Sequence, residues 1–95
     1  MSTKVPWGTT PEVERRNRIQ VSVAAFAYEL MGESIMTDDE FDALARSIRP
    51  EVMTGRFNLD AFFLSRFSPD TGMWIHQHPE LAKIEQLYHD YYRGR

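Results

Sequence analysis

Three kinds of side chain in this sequence invite a chemical reading: histidines at 76, 78 and 89, arginines at 15, 16 and 18, and carboxylates spread through residues 29–42. Imidazoles are common zinc ligands, but His76 and His78 are two residues apart and would point to different faces of a helix. His89 lies four residues before Arg93 and belongs on the polar face of a last helix. Solvated or capping histidines are therefore expected, and no metal site. Arg15, Arg16 and Arg18 have the charge to meet phosphate. However, Glu12 and Glu14 interleave with them and no aromatic stacking partner adjoins, so a solvated face or a salt-bridge set is expected. The net charge of -3 also disfavours direct nucleic-acid binding.

Other chemistries lack their residues. The chain has no cysteine, which excludes disulfides, thiolate zinc sites and cysteine nucleophiles. It has no glycine-rich phosphate loop and no motif joining serine, histidine and an acid. A non-enzyme without catalytic residues or cofactor is expected. The apolar stretch 21–27 is far short of the roughly 20 residues that span a bilayer. The first residues, MSTKVPWGTTPEVERR, have no apolar core for a secretory signal. No membrane association and a cytoplasmic location are the expectations.

At 95 residues, with 42% hydrophobic and 26% charged residues, the composition suits one folded domain. Residues 1–8 read as a tail, in which Trp7 is suited to docking on the body of the domain, and residues 9–95 as a single helical domain. Thr9, Thr10, Pro11 and Glu12 combine a cap, a first-position proline and a first-turn acid, and so start a helix. It runs to about Met31, with Ile19, Val23, Phe26 and Leu30 on one face, and Gly32 stops it. Thr37 and Glu40 form a capping box, so a second helix starts at Asp38 and ends before Pro50. The short link between these helices makes an antiparallel hairpin. Asn58 is placed to cap a third helix over residues 59–67 carrying Leu59, Phe62, Phe63 and Phe67. Met73, Trp74 and Ile75 suit either a short helix or an extended plug. A last helix spans about residues 80–92, with Leu81, Ile84, Leu87 or Tyr88, and Tyr91 inward. The fold expected is an all-α compact bundle of about four helices.

The run YELMGESIMTDDEFDAL over residues 28–44 resembles the helical Ia segment of bacterial NAD-dependent DNA ligases. In that family a tyrosine and a histidine near one helix end are followed, after a short loop, by an aspartate, a tyrosine, an aspartate and a leucine. Tyr28, Asp38, Asp42 and Leu44 match; Glu29 stands where the family has histidine and Phe41 where it has tyrosine. The resemblance covers about residues 27–45 alone. It implies a site at Tyr28, Asp38 and Asp42 for nicotinamide mononucleotide or NAD. Against this, Glu29 brings a carboxylate toward a phosphate, and Phe41 lacks the hydroxyl. The two lysines stand in KVPW and KIEQ, outside the Lys-x-Asp-Gly setting of ligase adenylation. Ligase activity is excluded.

Two functional readings follow. In the first, the chain is a small protein-binding or inhibitor domain, in which Trp74, Tyr88, Tyr91 and Tyr92 form one contact surface. Glu33, Asp38, Asp39 and Asp42 form a second, acidic one. Three tyrosines in five residues cannot all face one small core: either some reach the surface as contacts, or two pack against Phe62, Phe63 and Phe67 and one is amphipathic cover. An acidic patch suits a basic partner, such as the nucleic-acid-binding surface of an enzyme. Small free-standing chains of this look resemble bacteriophage accessory proteins. The second reading keeps nicotinamide mononucleotide or NAD at Tyr28, Asp38 and Asp42.

Overall fold

Local hydrogen bonds build the N-terminal hairpin. The Thr37 hydroxyl accepts the Glu40 N–H at 3.0 Å, and the Glu40 carboxylate accepts the Thr37 N–H at 2.8 Å. This capping box satisfies two otherwise orphaned donors and starts α2 (Asp38–Ser47). Upstream, α1 (Thr10–Met31) ends at Gly32, whose φ of +69° is a left-handed conformation that side chains disfavour. The Glu33 N–H turns back to the Ala27 carbonyl at 2.9 Å. Thr37→Ala is expected to cost about 1 kcal/mol of stability, and Thr37→Ser much less, as read from urea melts.

The computed structural model describes residues 10–92. The expected tail over residues 1–8 with Trp7, the cap at Thr9, and residues 93–95 lie outside the described residues. The remaining elements are α3 (Phe57–Ser65), a 3₁₀ turn (Met73–Gln77) and α4 (Leu81–Tyr91). The fold is an all-α bundle, with no strand among the described residues. None of their helices is long and apolar enough to cross a membrane.

The middle of α1 is the axis of the bundle. Every residue from 21 to 27 is buried, because α2, α4 and the 3₁₀ turn all pack around it. Ala24, Ala25 and Ala27 let those neighbours approach. The expected stripe on α1 holds only at Val23 and Phe26; Ile19 and Leu30 are each 40% exposed, since they lie beyond the enclosed part. The hairpin is antiparallel: Glu14 near the start of α1 accepts the N–H of Arg49, just past α2, at 3.0 Å.

Three further expectations are corrected. First, Asn58 does not cap α3. The helix starts at Phe57, two residues earlier than expected, and Asn58 lies in its first turn, where its side chain accepts the adjacent Leu59 N–H at 2.9 Å and also bonds the Glu80 carboxylate. Second, Trp74 and Tyr88, expected on a contact surface, are 5% and 0% exposed. The 3₁₀ turn seats the indole among Phe62, Phe63 and Phe67, with ring centroids 5.1 to 6.1 Å away, and its N–H is satisfied by the Thr71 carbonyl at 2.7 Å. Tyr88 stacks on Phe26 at 5.5 Å, and its hydroxyl donates to Glu33. A buried ring with its polar atom internally bonded has nothing left to offer a partner. Third, Tyr91 points outward, at 57% exposure, because Ile84 and Tyr88 already occupy the inward stripe of α4.

The arginine triplet divides. Arg18 is buried: its guanidinium donates to Glu14 at 2.7 Å and to Asp60 at 2.9 Å, and also to the carbonyls of Arg49 and Val52. Arg15 donates to the Thr54 carbonyl at 2.8 Å. Asp60 in turn accepts the N–H groups of Thr54 and Gly55 and the Thr54 hydroxyl. These bonds fasten the irregular segment 49–56 to α1 and α3. Burial pushes the Asp60 carboxyl up, but the bonds from Thr54 and from the Arg18 guanidinium together outweigh it and hold the group below the usual carboxylate range.

Candidate functional site

The last turns of α1 present Tyr28 and Glu29 on the side facing α2, while the first turn of α2 presents Asp38, Asp39, Phe41 and Asp42. Segment 69–72, entering the 3₁₀ turn, closes the third side and adds Asp70. Together they enclose a groove of about 510 Å³, within the range of sites that hold a ligand or an inserted side chain.

The third wall comes close to α1 at Gly72. A Cβ there would stand 3.4 Å from the Ala25 methyl and 3.5 Å from the Glu29 carboxylate, ordinary van der Waals contact, so the turn packs directly on α1. Arg46 ties the second and third walls, donating to Asp42 and Asp70 at 3.1 Å each. Both pairs are exposed and add little stability, but they fix the separation of two carboxylates.

Five carboxylates line the groove: Glu29, Asp38, Asp39, Asp42 and Asp70. Its lining includes no lysine, arginine, histidine or cysteine. The positive end of α2 offsets part of the charge on Asp38 and Asp39, and Arg46 engages Asp42 and Asp70. Glu29 has no such counter-charge among the groove residues. Tyr28 is 63% exposed and supplies an aromatic wall opposite Phe41. Such a surface accepts hydrogen bonds, attracts cations, and offers rings over which a cation can lie.

Of the residues singled out in the sequence, Tyr28, Asp38, Asp39 and Asp42 meet in this groove. Glu33 does not; it takes the hydroxyl of Tyr88 at the end of the bundle. Tyr91 leaves α4 one turn beyond that contact, exposed, while Tyr92 packs partly against the core. His78 is buried beside Phe62 and Phe63, and His89 faces Glu85 at 3.6 Å. Among the described residues no three His, Cys, Asp or Glu side chains, those of the groove included, are placed so that they could hold one metal ion.

Two features escape a reading of the sequence. Asp70 reaches the groove from 28 positions beyond Asp42 in the chain, and its only local signal is a turn composition. The outer face of α3 carries Phe57, 90% exposed, and Leu64, 63% exposed, seven residues apart and so on one side of the helix. Uniform hydrophobicity conceals which face of so short a helix points outward.

No protein-family model matches this chain, and neither the curated proteins nor the solved structures yield a match.

Proposed function

We propose that this chain is a small non-catalytic protein-binding domain whose groove between α1 and α2 receives a basic segment of its partner. The observation that carries the reading is the convergence of five carboxylates from three separate parts of the chain on one groove walled by Tyr28 and Phe41. A lysine or arginine fits both features, with its charged head among the carboxylates and its aliphatic stem along the rings. Phe57 and Leu64, exposed on one side of α3, offer further apolar side chains to a partner. A basic partner surface of this kind is found on enzymes that hold nucleic acid, so inhibition of such an enzyme by a phage accessory protein is one concrete form of the proposal.

Affinity capture from the native cell is expected to recover one stoichiometric partner. Reversing charge in Asp38→Lys with Asp39→Lys should weaken the complex about 100-fold or more, because each like-charge contact costs several kcal/mol. Raising ionic strength should weaken the parent complex and leave the variant little changed. Capture that is unaffected by the charge reversal would refute the groove as the contact.

A second reading is favoured by one observation: Tyr28, Asp38 and Asp42 line the same groove, as a nucleotide site would require. The charge of the groove opposes a phosphate. Calorimetry with nicotinamide mononucleotide decides between the two, and under the protein-binding reading no saturable heat appears.

A further inference from the structure

The groove carboxylates already hold one cation, and it belongs to the chain itself. Arg46, in the last turn of α2, donates from Nε to Asp42 Oδ1, one turn back, and from Nη2 to Asp70 Oδ1 on the third wall, both at 3.1 Å. Asp42 and Asp70 line the groove and Arg46 does not, so the guanidinium lies at the rim. Its bonds to the two carboxylates, foremost that to Asp42, raise its pKa further above the ordinary arginine value.

Two properties of this contact bear on what the groove takes. The first is its shape. Nε and Nη2 are nitrogens of one planar fork, so the gap between Asp42 and Asp70 is matched to a guanidinium, whereas a lysine ammonium presents a single nitrogen. The second is its weakness. The Arg46, Asp42 and Asp70 side chains are 56%, 56% and 74% exposed, and ion pairs between groups so exposed are readily exchanged. Glu29, Asp38 and Asp39, the other three carboxylates of the groove, are not engaged by Arg46. The position of α2 does not depend on the pairs either, since its capping box and the packing of Phe41, Leu44 and Ala45 on the core hold it.

We infer that Arg46 is a built-in competitor for this groove: in the free chain it occupies Asp42 and Asp70 in the manner of the ligand, and an arginine of the partner takes its place. This rests on the reading of the groove as the seat of a basic segment, and it narrows that segment's anchoring side chain to arginine. An arriving arginine that meets Glu29, Asp38 or Asp39 is drawn on to Asp42 and Asp70 as Arg46 swings into solvent. The exchange is also a filter. A guanidinium restores both bonds that it displaces, while an ammonium must break a two-pronged contact and cannot reproduce it, so the competitor penalises lysine more than arginine.

The test is NMR titration of the full chain at low ionic strength, following backbone amides and arginine Nε–H groups, with acetylated tetra-arginine amide and its tetra-lysine counterpart as probes. Saturable shifts centred on Tyr28, Asp38 and Asp42 are expected. The Arg46 Nε–H, bonded to Asp42 in the free chain, should shift and exchange faster with water as tetra-arginine binds. Arg46→Gln should bind tetra-arginine about threefold more tightly than the parent, the worth of an exposed ion pair that no longer has to be displaced. Tetra-lysine should gain less. Arg49→Gln controls for net charge: Arg49 pairs with Glu51, outside the groove, so its loss removes the same charge without freeing a groove carboxylate. Its gain should be smaller than that of Arg46→Gln. Weaker or unchanged binding by Arg46→Gln, an equal gain in Arg49→Gln, an equal gain for tetra-lysine, or an Arg46 Nε–H undisturbed at saturation would overturn the inference while leaving the groove as the seat of a cation. Absence of saturation by tetra-arginine up to about 10 mM in both the parent and Arg46→Gln, or shifts that avoid the groove, would overturn the underlying reading as well. The Nε–H measurement uses the unaltered chain, so it stands whatever the variants do.

Discussion

Arg18→Met is expected to destabilise the chain by about 3–5 kcal/mol, the cost of leaving a buried charge uncompensated. That is a large share of the roughly 5–15 kcal/mol that small domains possess, so the variant should be largely unfolded by 37 °C or show a steeply lowered urea midpoint. The guanidinium is 4% exposed as a residue and donates to two carboxylates and two carbonyls, and it lies 5.0 Å from the centre of the Phe63 ring. Methionine keeps the stem packing, so the measured loss isolates the charge and its hydrogen bonds. Replacing Glu14, Arg18 and Asp60 together by apolar residues should not restore the parent stability, in contrast to simple buried ion pairs. Asp60 and Glu14 also accept the backbone N–H groups of Thr54, Gly55 and Arg49, and each donor orphaned in a buried setting costs about 1–3 kcal/mol. A triple variant as stable as the parent would show that these backbone bonds do not matter.

The second large effect concerns acid. His78 is 8% exposed, and burial lowers its pKa from the ordinary 6.5 to about 4, against the opposing pull of the Glu80 carboxylate. Between about 6.5 and about 4 the unfolded chain takes up a proton that the folded chain refuses. Stability is therefore complete above about pH 6.5 and falls as pH drops through that window, by about 3 kcal/mol. Asp60 and Glu80 act at lower pH. Burial raises both carboxyls, but their hydrogen bonds and neighbouring cations hold them below the usual carboxylate range, so their contribution persists above the unfolded values and disappears only as pH falls through the lower folded ones. His78 Nδ1 accepts the Glu80 N–H at 3.0 Å at the start of α4. His78→Asn preserves an acceptor there and should flatten the pH dependence between 7 and 4.5 in urea melts, leaving the steeper acid loss below. An unchanged slope in this variant would assign the effect elsewhere.

Much of the scaffold is legible in the sequence because its signals are local. The capping box at Thr37 and Glu40, the stop at Gly32 and the break before Pro50 each act over three or four residues, and α1 and α2 begin and end where these signals place them to within a few residues. Tyr28, Asp38 and Asp42 can be grouped from the sequence for the same reason: a hairpin with a short link brings its two helix ends together. The start of α3 resists such reading. Asn58 has the composition of a cap, yet the bonds that fasten the preceding segment go to Asp60, two residues later and inside the helix. A single carboxylate within the apolar run FNLDAFFL was the available clue.

The aromatic residues show the limit most plainly. Trp74, Tyr88 and Tyr91 have similar chemistry, and any of them suits a core or an interface. Burial is a property of what packs opposite, and for Trp74 that is Phe62, Phe63 and Phe67, while for Tyr88 it is Phe26 on a helix more than 60 positions away. By itself the sequence determined where the hairpin helices start and stop, because capping and left-handed turns are settled by neighbouring atoms. The tertiary structure alone decided which aromatics are covered, which arginine is buried, and that Asp70 faces Asp42 across a groove. Those outcomes depend on contacts between segments whose meeting no short-range pattern encodes.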